Sequence, residues 1–398
     1  MIETLPLRRV ARVANGGTPT SDEANWGGEI PWATPVDLGL HHGGAVEETA
    51  RTLTEHGART GSSTVPAGSV LVSTRAPIGY VARTNVTMAF NQGCRGLIPG
   101  DRIDARFLAF ALLAAHQELD ARGQGSTFSE LSADGLASVP VPVPPIDEQR
   151  RIVDFLDTET ARLDTLARTR GLQRGLLNNR WHSSLAKHFH AAQRRPLKRV
   201  ASWREGPGIM AVDFRDEGRP LLRIRNLVDD SINLDGCGFV SESDARTRWS
   251  HFAVQPGELL ISGSASTGAC AVVPDTARGA IPYTGLIRMW PSNPNIAVGY
   301  LRYFLLSPVF LEQVNLLKTG VAIQHWGPSH LAQVQIPLPP LKDQRLAESE
   351  LSEEESGLRA ISDAIDRQLR LVAERRQALV TAAVTGQLDV TTARGGRS

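Results

Sequence analysis

Arginine supplies nearly all of the positive charge in this chain: of 43 basic side chains, only Lys187, Lys198, Lys318 and Lys342 are lysines. A guanidinium presents two parallel N–H donors, the geometry that grips a guanine edge or a phosphate. The scarcity of lysine also excludes chemistry. No lysine has an acidic residue two positions before it, so the acidic-x-Lys element of restriction-type nucleases is missing. Lys318-Thr319 is the one lysine followed by Ser or Thr, and Leu317 stands where a phosphate-binding loop needs glycine. The hydroxyl-rich stretch Ser262-Gly-Ser-Ala-Ser-Thr267 has no lysine to complete a phosphate site and reads as a strand-edge turn. No Asn/Asp-Pro-Pro-aromatic tetrapeptide, which amino-methyltransferases use to hold a flipped base, is present; Asn293-Pro294-Asn295 comes nearest and fails. The histidines (His41-His42, His182 with His188 and His190, His325 with His330) have no Cys or carboxylate at metal-ligand spacing. Cys94, Cys237 and Cys270 are odd in number and far apart, which predicts buried free thiols rather than a disulfide framework or a zinc site. No catalysis and no metal is expected of these residues.

The elements that must carry the arginines are written twice. Val141-Pro-Val-Pro-Pro145-Ile-Asp-Glu-Gln149-Arg150 recurs as Ile336-Pro-Leu-Pro-Pro340-Leu-Lys-Asp-Gln344-Arg345, 195 residues later. Phe107 to Leu113 sits over Tyr300 to Leu306, Pro66 to Ser73 over Gln255 to Ser262, and Leu7 to Ala11 over Leu197 to Ala201. With 398 residues, 41% apolar and 21% charged, the chain suits two or three folded domains. Short β-branched runs between Gly and Pro turn signals predict strands, and Phe107 to Leu113 and its copy predict one short helix each. Two α+β domains follow, at 1–145 and 196–340, with their strand order unreadable. The net charge of +1 announces no partner, but the 146–195 stretch carries 10 basic against 6 acidic side chains. No apolar run approaches a membrane span and the start MIETLPLRRVARV is no export signal, so a soluble, cytoplasmic protein with no membrane partner is expected.

Each Pro-rich joint forbids helix until it ends, and the acidic residues behind it suit a helix first turn. Two spacer helices are predicted, at 146–190 and 341–388. In the second, Leu351, Leu358, Ile365, Val372 and Leu379 recur every seven residues, with Ile361 and Ala382 on the companion seam. The first repeats this less cleanly, as Leu156, Leu163, Arg170 and Leu177 with Ile152 and Leu166 alongside. If the first helix carries the chain from one domain to the next, its equivalent must run back. The two then pair as an antiparallel coiled coil with pseudo-two-fold symmetry, and the C-terminus returns to the N-terminal domain. About 40 residues of helix span roughly 60 Å, enough to hold two domains apart.

Several stretches in this order resemble the specificity subunit of Type I restriction-modification systems. They are Ile30-Pro-Trp-Ala-Thr-Pro-Val-Asp-Leu38, Leu71 to Tyr80, Asn91-Gln-Gly-Cys-Arg95, Gly125 to Leu131, both Pro-Pro joints, and Arg375 to Gly386. The second half departs more, with Leu221-Leu-Arg-Ile-Arg-Asn-Leu227 in place of the Trp-containing segment and no arginine matching Arg75. The resemblance implies two target recognition domains, each reading one half of a split, asymmetric site in double-stranded DNA. The spacer helices would dock two methyltransferase subunits, and restriction subunits would join where the system has them. S-adenosylmethionine, ATP and Mg would then belong to those partners and no cofactor to this chain. Base reading needs Arg, Asn and Gln at groove edges. By loop position the expected DNA-binding residues are Arg75, Arg83, Asn91, Gln92 and Arg95 in the first domain, and Arg223, Arg225, Asn226, Gln324 and His325 in the second. A coiled-coil adaptor without DNA recognition is the alternative reading.

Overall fold

The computed structural model describes residues 2–123, 130–190, 193–228, 230–263, 269–317 and 326–390. The chain divides into two compact units, residues 1–170 with 366–398, and residues 171–365. Both carry the same sheet. In the first unit β1 (Ala11–Asn15) is followed by β2 (Trp26–Ala33), α1 (Pro35–Leu40), β3 (Val70–Ser73), β4 (Val81–Thr84), β5 (Met88–Phe90), β6 (Cys94–Pro99) and α2 (Ala105–Ala114). The long helix α3 spans Ile146–His188. In the second unit come β7 (Ala201–Glu205), β8 (Arg219–Leu222), β9 (Leu259–Ser262), β10 (Cys270–Val272), β11 (Ile281–Pro282), β12 (Leu286–Pro291) and α4 (Val298–Leu306), and the second long helix, α5, spans Leu341–Val384. The main sheet has the order β1-β6-β3-β4 with the short strand Ala45–Val46 beyond, and its counterpart has the order β7-β12-β9-β10. A second sheet in each unit contains one parallel pair, β2 with β5 and β8 with β11.

The central strands β3 and β9 are buried on both faces, which explains their unbroken apolar runs. Val70 and Val72 point into one core with Phe107, Leu108 and Leu112, while Leu71 points into another with Val46, Met88 and Phe90. Leu259 and Ile261 against Leu260 repeat this alternation in the second unit. The helix α2 starts where Asp104 accepts hydrogen bonds from the backbone N–H groups of Arg106 and Phe107.

The Pro-rich joints pair with the strands that open each globular part: Thr4–Pro6 with Pro140–Pro142, and Arg194–Pro196 with Gln335–Pro337. A buried glutamine locks each joint. The Gln149 side-chain amide donates to the carbonyls of Arg102 and Pro144 at 2.9 and 2.8 Å and accepts from the Asp104 N–H at 2.8 Å. Gln344 repeats all three bonds with Asn295, Pro339 and Ala297 at 2.8, 2.8 and 3.0 Å.

Both long helices serve two cores. In the first unit Ile152, Val153 and Leu156 of α3 pack with Val380, Ala383 and Val384 of α5, and Leu388 and Val390 follow them in. The stretch from Val380 to Val390 thus packs in the N-terminal unit, as expected. In the second unit Trp181, Leu185 and Phe189 pack with Leu351 of α5, and the Phe189 ring lies 5.0 Å from Tyr300. The pairing is antiparallel: Arg180 and Ser184 reach Glu354 while His188, further along α3, reaches Glu350, earlier on α5. In the first unit Arg376 lies 3.4 Å from Asp164.

The seam differs from the expected one in its companion positions. Leu156, Leu351 and Ile365 are buried, and Leu163, Leu177, Leu358, Val372 and Leu379 are half-buried. Ile361 and Leu166, however, are 50% and 41% exposed. The inner positions lie four residues after each seam residue, at Glu355, Ser362, Leu369, Arg376 and Ala383. Several of these are polar, so an apolar pattern cannot reveal them. Among the described residues no helix is long and apolar enough to cross a membrane.

Candidate nucleic-acid interface

In the first unit the antiparallel register decides which residues meet. Cys94 lies opposite Ser73 and Leu97 opposite Val70. The β5–β6 turn, with Asn91, Gln92 and Arg95, is therefore beside the loop after β3 that carries Arg75. Arg83 lies opposite Val70, at the other end of the β3–β4 hairpin. There it is half-buried, and burial followed by the nearby Arg106 guanidinium lowers its pKa against the pull of Asp104. Arg106 itself is paired to Asp157 of α3. Arg83 thus faces the helical side, away from the other four.

Of those four, two are turned inward to hold the turn. The Asn91 carboxamide oxygen accepts from the Gly93 N–H at 3.0 Å, and Arg95 donates to the carbonyls of Gln92 and Cys94 at 2.9 and 3.0 Å. Gln92 is exposed and accepts from the Thr18 hydroxyl. Arg75 is half exposed, with its Nε 3.3 Å from the Glu130 carboxylate. The loop of Gly16 presses so close that a Cβ there would lie 2.0 Å from the Asn91 carbonyl oxygen, so only glycine fits.

The second unit builds the same corner with other side chains. Asn91 N–H donates to the carbonyl of Ala33 at the end of β2; Tyr283 N–H donates to Leu222 at the end of β8. Gly93 and Gly285 accept from Thr74 and Gly263 in turn. A Cβ on Gly206 would lie 2.2 Å from the Pro282 carbonyl oxygen, matching Gly16. Tyr283 therefore occupies the place of Asn91, and Thr284 that of Gln92. The segment Leu221 to Leu227 occupies the place of Trp32 to Leu38. Where Thr34 and Asp37 form a capping box at α1, Asn226 accepts from the Arg223 N–H at 2.9 Å and donates to the Asn233 carbonyl at 3.0 Å. Asn226 is 2% exposed and fully committed to this turn. Arg225 is exposed and donates to the Gly236 carbonyl at 2.7 Å. The Arg223 guanidinium lies against two rings, 4.9 Å from the centroid of Phe214 and 5.6 Å from that of Tyr283.

Gln324 and His325 lie outside the described residues, as do Gly125, Lys318 and the 264–268 stretch. Sequence reasoning missed Phe214 and Tyr283, and also Arg51, whose guanidinium stacks 3.4 Å from the Trp26 centroid beside Trp32. The duplication could have shown Tyr283 as the partner of Asn91, but there only the following glycine is shared. Cys94 and Cys270 are buried, as expected, whereas Cys237 is partly exposed because it sits in a surface turn after Asn233. Burial pushes the Cys94 thiol up to about 12 and also raises Cys270, which makes both poor nucleophiles. Among the described residues no cluster of His, Cys, Asp and Glu could hold a metal ion.

Comparison with known proteins agrees with this geometry. Residues 2–171 match the family model of the Type I restriction modification DNA specificity domain. The chain is 36% identical over 154 residues to the Type I restriction enzyme MjaIX specificity subunit of Methanocaldococcus jannaschii, covering 38% of this chain and 36% of that one. It is 27% identical over 184 residues to the EcoR124I/EcoR124II specificity subunit of Escherichia coli, covering 44% of each. The matched stretches thus span less than half of these relatives' own lengths. A chain in a solved structure describing complex assembly and conformational transition of the type I R-M system superposes with a TM-score of 0.71, at 20% identity, over 97% of this chain and 98% of that one. Residues 2–171 are thus similar to the Type I restriction modification DNA specificity domain, and nearly the whole chain shares the fold of that solved chain.

Proposed function

We propose that the chain is a DNA-specificity subunit whose two globular parts, 1–145 and 196–340, each read one half of a bipartite, asymmetric site in double-stranded DNA. The observation that carries this reading is one loop corner built twice on the same sheet with different side chains, Thr18, Asn91 and Gln92 in one and Phe214, Arg223 and Tyr283 in the other. Two unlike readers on a common scaffold suit two unlike half-sites. The helices at 146–190 and 341–388 set the unread gap and dock two methyltransferase subunits. The subunit itself is non-catalytic: methyl transfer from S-adenosylmethionine belongs to the methyltransferase, and ATP- and Mg-dependent cleavage to restriction subunits. The complex works on DNA in the cytoplasm.

Methylome sequencing of cells expressing the chain with its methyltransferase is expected to return one split motif with unlike halves. Methylation that does not depend on the chain, or no DNA binding by the purified complex, would leave the adaptor reading in its place. Within the first half-site, Arg75→Ala is expected to relax discrimination at one base pair by about 1–3 kcal/mol, leaving the other half-site untouched. Equal weakening on every duplex, with a salt slope shallower by about one, would instead make Arg75 a phosphate contact.

A further inference from the structure

In the globular part of the second unit, three half-buried arginines are neutralised by carboxylates. Arg219 pairs with Glu242, Arg288 with Glu258, and Arg302 with Glu355. Arg223 is the exception. It is half-buried, its Nε is buried with no hydrogen-bond partner, and among the described residues no carboxylate lies within ion-pair range of it. What holds it is aromatic: the guanidinium sits in the corner formed by Phe214 and Tyr283, whose rings are 6.4 Å apart and inclined at 68°. Ring faces attract a cation without occupying its hydrogen-bonding edge. The backbone at its base is pinned as well, through the Arg223 N–H to Asn226. The side chain is therefore oriented in advance, with its terminal N–H donors left for an acceptor from outside.

Two acceptors would satisfy such a fork, a phosphate or a purine edge. The surroundings favour the base edge. Met210 and Val212, four and two residues before Phe214, are 69% and 78% exposed. Solvated phosphates offer nothing to such side chains, whereas the major groove presents thymine methyl groups. The nearby arginines Arg225 and Arg215 are already engaged with backbone carbonyls, Arg225 with that of Gly236 and Arg215 with those of Val212 and Phe214.

We propose that Arg223, held against Phe214 and Tyr283, reads a guanine in the half-site recognised by the second globular part. This rests on the DNA-specificity reading above. The test uses the full chain in complex with its methyltransferase and measures affinity for duplexes carrying every single-base change in both half-sites. Arg223→Lys keeps the charge but loses the two parallel donors. It is expected to lose about tenfold to hundredfold discrimination at one G·C pair, with the salt slope and the other half-site's preferences unchanged. Phe214→Leu and Tyr283→Leu should relax the same base pair to a smaller degree, as positioning residues. Unaltered preferences in Arg223→Lys, or a uniform loss on all duplexes, would overturn the assignment while leaving the DNA-specificity reading intact. A wild-type complex with no sequence preference overturns both, and the intact second set of preferences reports that the variant is folded.

Discussion

Replacing Gln149 by leucine is expected to destabilise the first unit by roughly 3–9 kcal/mol, since each buried polar group left unpaired costs about 1–3 kcal/mol. The change strands three groups at once: the Asp104 N–H and the carbonyls of Arg102 and Pro144. No water can replace the amide without a cavity, because Gln149 is 0% exposed and leucine fills the same space. Thermal melting should show a fall of about 10 °C or more. Gln344→Leu should do the same to the second unit, where Ala297, Asn295 and Pro339 are stranded. Gln149→Glu makes a sharper test. Its second oxygen would face two carbonyls that need a donor, so the carboxyl must hold its proton in the folded state. The folded pKa is then raised, and the deficit shrinks as pH falls and grows as pH rises through that value. A Gln149→Leu variant that melts with the wild type would show that the joint is not held by this network.

The repetition of these glutamines was legible, but not the hydrogen bonds they make, which go to backbone groups that only the fold brings to them. A Pro-x-Pro-Pro joint restricts the backbone on one side, a helix starts on the other, and the glutamine repeats at the same offset in both copies. The long helices were legible for a similar reason, since their period is local. The sheet order was not. Strands of three to six residues carry no mark of which distant strand they join, and in the β1-β6-β3-β4 order Asn15 of β1 lies opposite Arg95 of β6. The same nonlocality separates Arg83 from Arg75. They are eight residues apart in sequence, and an antiparallel hairpin sends them to opposite ends of the sheet. Asn91, Arg95 and Asn226 were legible as polar loop residues, but not as residues whose hydrogen bonds are already spent on their own turns. Arg223 could be chosen from sequence. Its two rings could not, since Phe214 lies on a short strand and Tyr283 in the turn after β11, about 70 residues further along the chain.

Glu355→Ala is expected to cost the second unit about 3–5 kcal/mol, the loss typical of stranding one partner of a buried ion pair. Arg302 and Glu355 are 12% and 20% exposed, joined by two hydrogen bonds of 2.8 and 3.0 Å, and the Tyr303 hydroxyl donates to the same carboxylate at 2.8 Å. Together they fasten α4 to α5. Burial alone would raise the Glu355 pKa, but the hydrogen bonds and charge of Arg302, with Tyr303, hold it below the ordinary glutamate range. A depressed carboxyl contributes stability that is present above its unfolded value and lost as pH falls through the folded one. Neighbouring Asp230, 3.6 Å from Arg302, is shifted the other way by burial, and the charge of Glu355 adds to that rise. Its contribution runs oppositely, present at low pH and lost as pH rises. Wild-type stability should therefore change gently with acid, because the two carboxyls partly cancel. Glu355→Gln removes one side of this balance and brings Asp230 closer to Arg302 in energy, so the acid limb should reshape rather than shift in parallel. The double variant Arg302→Met with Glu355→Met is expected to recover most of the single variant's loss, since replacing both charges leaves no stranded ion while Asp230 keeps Arg359 at 4.0 Å. If Glu355→Ala alone unfolds with the wild type across this pH range, solvent already screens the pair and the fastening of α4 to α5 must come from apolar contact, with Leu351 and Tyr300 as its centre.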